Sequence, residues 1–357
     1  YMDKELFIGD FEAIKFFSMR ENLVLSFFNL TQTLNYSNKY SNFNYVKMFR
    51  AIRQFAWLDN KKYSSHQRLN KEYLKNNIDW FEQWLVGMTD GDGTFSIVYQ
   101  NGKWSLAYKI ALSRYNLRAL FYIKKQLGVG SVTKDNTKGQ LFIRDRKKLE
   151  SAIFPIFDKY PLLTSKQFNY LKLKQAFYVL EDTSLTKDEK DKKLFALKTQ
   201  SIPDNYISPS WNKTQLPLKS ISDLTGIMTK PWLVGFIEAE GSFYLVSKNS
   251  TRIVHGFGIT QKLDSVVLEG IRLILHIPTG VNFKSKYNHY ILDTTNSRAV
   301  ENIIEYFRNT MKGMKSVEYR IWARSYGKYK GDYLKLSETR NILRKLKTKL
   351  LEISDFS

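Results

Sequence analysis

Residues 84–95 read Trp-Leu-Val-Gly-Met-Thr-Asp-Gly-Asp-Gly-Thr-Phe, and residues 232–243 read Trp-Leu-Val-Gly-Phe-Ile-Glu-Ala-Glu-Gly-Ser-Phe. The two stretches start 232 − 84 = 148 positions apart, about the length of one compact domain. Each holds an apolar run with a glycine inside it, then acid–small–acid–Gly, then residues that alternate as a strand does. A helix-interior glycine costs about 1 kcal/mol relative to alanine. Its presence in both copies, as Gly87 and Gly235, predicts two helix backbones in close approach. Helices packed through those glycines bring their C-terminal acids, Asp92 and Glu240, side by side.

Both stretches resemble the signature of the LAGLIDADG homing endonucleases and intron maturases. Leu85–Gly93 and Leu233–Gly241 cover its nine letters, with Val in second place and Thr or Ile in fifth. The family's metal-ligating acid, the last before the closing glycine, corresponds to Asp92 and Glu240. The resemblance implies an α+β fold, two pseudo-symmetric αββαββα repeats forming a saddle over DNA, and covers residues 80–330.

Composition agrees. The 357 residues carry 56 Lys and Arg against 34 Asp and Glu, a formal charge of +22, so a polyanion is the expected partner, bound with counterion release. At 43% hydrophobic and 15% aromatic the chain can build real cores. With no cysteine and four histidines, disulfides and thiolate zinc sites are excluded and a histidine metal site is disfavoured. No run reaches the ~20 apolar residues of a membrane span. The excess of Lys, Asn, Tyr, Phe and Ile fits AT-rich coding and, with the resemblance, an organelle-encoded mitochondrial protein.

Taken in order, residues 1–79 read as a helical extension, with apolar spacing over Phe11–Phe28 and Tyr45–Trp57 and cations at Arg50, Arg53, Lys61, Lys62 and Arg68. The first repeat spans 80–201. Its strand Thr94–Gln100 pairs with Trp104–Leu112 across Asn101-Gly102, a strong hairpin signal. A helix over Leu117–Leu127, strands at Ser131–Lys134 and Gln140–Arg144, and helices at Arg146–Phe157 and Lys166–Leu180 follow. A capped, charged helix is expected over 183–199. Residues 202–230 form the linker, in a stretch (201–231) with four of the chain's seven prolines. The second repeat, 231–330, retraces the order with strands at Ser242–Lys248, Ile253–Lys262, Val281–Lys286 and Tyr290–Thr294 and helices at Val266–His276, Arg298–Asn309 and Ser316–Tyr326. Residues 331–357 hold a basic helix over Asp332–Leu351, with Lys335, Arg340, Arg344, Lys345, Lys347 and Lys349.

Two carboxylates at adjoining helix ends repel unless cations bridge them, so Mg²⁺, a hard ion suited to carboxylate and phosphate oxygens, is the expected cofactor. The resemblance adds the carbonyls of Gly91 and Ala239 as backbone ligands. Asp90 and Glu238 face elsewhere on the helix and read as capping or pairing groups. The strand ending Phe257-Gly258-Ile259-Thr260-Gln261-Lys262 resembles the family strand that places a glutamine near the metals, hence Gln261, with Ser113 in its place in the first repeat. Tyr170-Leu171-Lys172-Leu173-Lys174-Gln175 resembles the helix bearing an active-site lysine, mapped to Lys174; in the second repeat Ala323 falls opposite and Arg324 is the nearest substitute. For recognition, the polar hairpin faces offer Thr94, Ser96, Gln100, Lys103 and Lys109 to one half-site and Ser242, Tyr244, Lys248, Arg252 and Gln261 to the other. The expected activity is metal-dependent double-strand cleavage of a long asymmetric DNA site by a monomer. The alternative is a maturase that binds its own group I intron RNA, with an accessory splicing protein as a possible partner.

Overall fold

The computed structural model describes residues 76–352. The N-terminal helices expected over Phe11–Phe28 and Tyr45–Trp57, with their basic residues, lie outside these, as do the side chains of Lys347 and Lys349.

Helix α1 (76–92) opens the first repeat and buries Trp84, Leu85, Val86 and Met88. It runs into strand β1 (Gly93–Gln100), which pairs antiparallel with β2 (Lys103–Ser113), Gln100 opposite Lys103. The two-residue turn works because Asn101 and Gly102 both take positive φ, 51° and 70°, matching the twist of the strands. Helix α2 (Leu117–Leu127) ends at Gly128, whose left-handed backbone closes an N–H bond to the Lys124 carbonyl. Strands β3 (Ser131–Lys134) and β4 (Lys138–Ile143) complete a sheet of order β1-β2-β4-β3. Helices α3 (Arg146–Lys148) and α4 (Phe154–Lys159) flank a π-helical turn at Leu149–Ile153, so the single helix expected over Arg146–Phe157 is a bulged one. Next come α5 (Lys166–Glu181) and α6 (Lys187–Thr199), the latter started by a Thr186–Glu189 capping box.

The second repeat follows the same plan: α7 (Lys230–Glu240), β5 (Ser242–Asn249), β6 (Arg252–Gln261), α8 (Ser265–Ile274), β7 (Asn282–Lys284), β8 (His289–Thr294), α9 (Ser297–Tyr306) and α10 (Lys315–Tyr329). Its sheet order is β5-β6-β8-β7. Helix α11 (Tyr333–Glu352) is anchored by buried Leu336 and Leu343. Among the described residues no helix is long and apolar enough to cross a membrane.

Each sheet turns one face to its helices. Phe95, Tyr108, Phe157 and Tyr170 cluster with ring centroids 5.3–5.6 Å apart in the first repeat. Phe243, Phe257 and Tyr319 take the places of Phe95, Tyr108 and Tyr170 in the second, with Trp322 of the last repeat helix packed against Phe243. The linker is also part of the core. Trp211 is fully buried and its indole N–H donates to the Leu163 carbonyl at 2.9 Å, while Ser208 donates to Leu162 O at 2.6 Å. These contacts hold the loop that leads into α5.

The repeats meet through α1 and α7, and the glycines explain how closely. A methyl group on Gly87 would fall 1.9 Å from the Trp232 carbonyl oxygen, and one on Gly235 would fall 2.0 Å from the Trp84 carbonyl oxygen. Both obstacles are backbone, so neither can swing away. Gly87→Ala or Gly235→Ala must therefore push the helices apart. The expected loss is about 3 kcal/mol or more, at or above the upper end of ordinary overpacking. Thermal denaturation of purified variants checks this; an unchanged midpoint for either variant contradicts the close contact.

Candidate active site

The ends of α1 and α7 carry two pairs of acids with opposite fates. Two residues along a helix is a rotation of about 200°, so Asp90 and Asp92 point to different sides, as do Glu238 and Glu240. Asp90 and Glu238 turn into the protein and cross between repeats. The Trp232 indole donates to Asp90 at 2.7 Å, and the Trp84 indole donates to Glu238 at 3.2 Å. Asp90 also accepts from the backbone N–H groups of Leu163 (2.9 Å) and Thr164 (3.0 Å) and from the Thr164 hydroxyl. Glu238 accepts from the N–H groups of Lys312 (2.6 Å) and Gly313 (2.8 Å). Burial pushes both carboxyls up in pKa, and these donors pull them back. The two acids thus fix the loops that start α5 and α10.

A second reciprocal layer crosses the same boundary. Asp264, preceding α8 in a left-handed conformation (φ 64°), accepts from the N–H and hydroxyl of Ser165 at 2.7 and 2.9 Å. Asn116, preceding α2, accepts from the Met314 N–H at 2.9 Å. Each repeat therefore positions the loop of the other.

Those loops deliver the basic groups. Lys166 is the first residue of α5, and its ammonium donates to the carbonyls of Thr89 (3.2 Å) and Gly91. Lys315 is the first residue of α10 and donates to the Gly241 carbonyl at 2.9 Å. Both interact electrostatically with Asp92 and Glu240. Burial lowers the Lys166 pKa against the raising effect of Asp90, Glu240, Asp92 and Asp264.

Lys174, expected as the active-site lysine, is not there. It lies two turns further along α5 and pairs with Asp158, Nζ to the two carboxylate oxygens at 2.8 and 2.6 Å. Arg324 is correspondingly far along α10 and exposed. The signal that could have found Lys166 and Lys315 is electrostatic. A lysine at the first position of a helix opposes the macrodipole, and both repeats place one there, 74 and 75 residues after Asp92 and Glu240. The second cause of the misplacement is that a local Lys-x-Lys resemblance carries no information on helix phase.

Asp92 and Glu240 face each other's charge. Burial first, and then the Glu240 carboxylate, push Asp92 up to about 6; Lys166 and Lys315 oppose this. Glu240 is raised too, mainly by burial, with Lys166, a hydrogen bond from Gln261 and Lys315 acting the other way. The helix ends can come this close because the facing residues are small: a methyl on Gly91 would lie 2.3 Å from Ala239 Cβ and 3.2 Å from Glu240 Cγ. Two half-buried carboxylates with upward-shifted pKa values are a site that lacks positive charge, and a divalent cation fits that donor set. No group of three or more His, Cys, Asp or Glu that could hold a metal gathers among the described residues, so water and a bound anion would have to complete any coordination shell. The Gly91 carbonyl already accepts from Lys166. To serve as a ligand it must use its second lone pair.

The hairpins present the expected polar residues unequally. Thr94, Gln100 and Lys103 are exposed, and Ser96 and Lys109 are partly covered, all on the sheet face away from the helices. Ser242, Lys248 and Arg252 are exposed on the matching face of β5 and β6. Tyr244 lies across Gly256, where a Cβ would fall 2.2 Å from its ring. Gln261 is a correction: the pleat puts it in register with buried Ile253, Phe257 and Ile259, on the helix side, and its amide serves Glu240. Nor is Ser113 its counterpart. An irregularity between Ser247 and Asn249 adds one residue to the second hairpin, so Gln261, opposite Tyr290, corresponds to Leu112, opposite Gly139. Leu112 is buried and apolar.

Residues 85–177 and 233–326 match the family model described as LAGLIDADG endonuclease. The chain belongs to the LAGLIDADG endonuclease family. It is 40% identical over 280 residues to the probable intron-encoded endonuclease Cox1-I1b of Schizosaccharomyces pombe, covering 75% of this chain and 70% of that one. An uncharacterized mitochondrial protein, RF1 of Saccharomyces cerevisiae, is 32% identical over 228 residues, 62% of this chain and 44% of its own. Among solved LAGLIDADG structures, I-SmaMI bound to uncleaved DNA target in the presence of calcium ions aligns with a TM-score of 0.59 at 22% identity, covering 75% of this chain and 97% of that one. I-GzeII in complex with its DNA target aligns equally well, at 22% identity, covering 72% and 96%. At these identities the structures establish the shared LAGLIDADG fold.

The electrostatic state of Asp92 gives a test that needs no substrate. Its folded pKa is raised from 3.8 to about 6. The carboxyl therefore costs little below about pH 3, where it is mostly protonated in both states. Its cost grows as pH rises towards 6 and stays at its full value, at most about 3 kcal/mol, above that. In chelator, Asp92→Asn should melt higher than wild type at pH 8, with the gap closing towards about pH 3. Added Mg²⁺ should raise the wild-type midpoint and leave the variant's unmoved. A variant no more stable than wild type at pH 8 in chelator contradicts the charge-deficient site.

Proposed function

We propose that this LAGLIDADG protein is an intron-encoded homing endonuclease that makes a double-strand break at a long asymmetric DNA site, acting as a monomer with Mg²⁺ at Asp92 and Glu240. The observation that carries the reading is the shared carboxylate pair, one acid from each repeat, flanked by one lysine from each repeat. A bound divalent cation would supply Lewis-acid activation of water and of the scissile phosphate. Asp92 and Glu240 would hold and orient it. Lys166 and Lys315, fixed on backbone carbonyls, would offset charge developing on the phosphate oxygens without reorganising. Gln261 would orient Glu240. The exposed Thr94, Gln100, Lys103, Ser242, Lys248 and Arg252 would enter the major groove, where a two-stranded ribbon fits, and the +22 charge would hold phosphates. The relatives named as intron-encoded endonucleases and the DNA-bound structures favour this substrate; the cox1-named and mitochondrial relatives favour action in the mitochondrion.

The second reading is a maturase that binds its own group I intron RNA, alone or with an accessory protein. It is favoured by α11, which carries exposed Lys335, Arg344 and Lys345. Precursor-RNA splicing at low Mg²⁺ tests it, and the absence of any rate gain with protein counts against it.

Supercoiled plasmid carrying the intron-insertion sequence should be linearised in Mg²⁺. Asp92→Asn and Glu240→Gln should each lower the rate by at least about 10²-fold. Linearisation that survives both substitutions removes the acid pair from the mechanism. Lys166→Met and Lys315→Met should each cost about 10²-fold on one strand, whereas Lys174→Ala should cut nearly as wild type. The reverse ranking, with Lys174 essential and the other two dispensable, returns the active-site lysine to the middle of α5.

A further inference from the structure

The two lysines are anchored differently. Lys315 has a carboxylate behind it: Glu318, one turn along α10, sits with Oε2 3.9 Å from the ammonium and is 1% exposed. Glu318 is held in turn across the repeat boundary, accepting a hydrogen bond from the Tyr115 hydroxyl at 2.7 Å. Tyr115 also bonds Ser113, at the end of β2, and interacts electrostatically with Asp92. A three-residue chain thus runs from the first repeat into the second and ends on the lysine beside the acid pair.

Among the described residues the other half of the molecule has no Tyr–Glu pair behind its lysine; there a cross-boundary carboxylate, Asp264, acts on Lys166 only electrostatically and hydrogen-bonds Ser165 instead. Glu318 is the fourth residue of α10, and the fourth residue of α5 is Asn169. Tyr115 precedes Asn116 as Leu263 precedes Asp264, and Leu263 is 47% exposed. Phenol and carboxylate are replaced by an apolar side chain and an amide. Lys166 is instead held through the carbonyls of Thr89 and Gly91.

We infer that Tyr115 and Glu318 are positioning residues that hold Lys315 towards the acid pair, and that they serve the cleavage of one DNA strand and not the other. Neither touches the reacting atoms. They act by keeping a long, four-bond side chain in one direction, and a misplacement on the order of 1 Å costs about 10²-fold in rate. The inference rests on the proposed endonuclease activity for its first readout but not for its second.

Tyr115→Phe and Glu318→Gln are isosteric, and Glu318→Gln keeps an acceptor for the Tyr115 hydroxyl, which separates charge from hydrogen bonding. On supercoiled target plasmid both variants should accumulate nicked circles, with one strand slowed about 10- to 100-fold and the other near wild type. Primer extension should place the nick on the strand that Lys315→Met still cuts, and not on the one that Lys166→Met still cuts. Equal slowing of both strands, or no slowing, overturns the inference. The second readout is the rate of lysine acetylation by a water-soluble acylating reagent, mapped by peptide mass spectrometry on the intact protein. Released from its anchor, Lys315 should label severalfold faster in both variants, with Lys166 unchanged. If wild type fails to linearise its target, the endonuclease reading falls and labelling alone decides. Unchanged Lys315 labelling, or equal gains at both lysines, overturns the positioning role.

Discussion

Two helices touch backbone to backbone, and the rest of the molecule follows from that contact. Gly87 and Gly235 lie against the carbonyls of Trp232 and Trp84, with no room for a side chain on either. An approach this close fixes the rotation of both helices, because any turn would bring a larger residue into the gap. With rotation fixed, each helix end is forced to present one acid inward and one acid outward. The inward acids accept from the tryptophan of the opposite helix and from the loop preceding α5 or α10. The outward acids meet near the boundary. One geometric constraint therefore sorts four carboxylates into two that hold the fold and two available for chemistry.

The outward pair carries a stability cost that the fold offsets only in part. Lys166 and Lys315 sit at the wrong ends of their own helices, where the macrodipole is positive, yet Lys166 reaches the C-terminal carbonyls of α1, where a cation is favourable. Each ammonium thus bridges a helix start in one layer to a helix end in another. Their charge opposes, but does not cancel, the upward shift of Asp92 and Glu240. A cation bound there would offset the cost of burying both carboxylates and the repulsion that Glu240 exerts on Asp92, and would link ligand binding to stability at the same two residues.

Much of this was legible in the chain. The duplicated nonamer showed the helix contact and the acid pair, the Asn101-Gly102 turn showed the first hairpin, and the glycine after Leu127 showed a helix end. What escaped was phase and register. Lys174 matched a local pattern, while the signal that marks Lys166, a lysine at the first position of its helix in both repeats, went unused. A single extra residue in the second hairpin shifts Gln261 onto the helix side and pairs it with Leu112, which no linear comparison of the strands exposes. Trp211 looked like part of a proline-rich linker because its burial depends on Leu162 and Leu163, nearly fifty residues earlier in the chain.

The differences between the repeats lie outside the glycine contact, and there is a physical reason. At the helix boundary the opposing groups are backbone, so a change on one side cannot be absorbed by the other, and Gly87/Gly235 and Trp84/Trp232 remain matched. One layer out, contacts are made by side chains, which can be exchanged singly. There the molecule is unequal: Gln261 against Leu112, Asp264 against Asn116, Glu318 against Asn169 and Tyr115 against Leu263. A duplicated frame that is symmetric where it must be, and asymmetric where it can be, surrounds one shared carboxylate pair with two different sets of supporting groups. A symmetric dimer cannot do this, because each substitution would appear twice. A single chain with two repeats can give each half of the site a different chemical environment, and here Tyr115, Glu318, Asn116 and Asp264, which differ between the halves, make contacts that cross the repeat boundary.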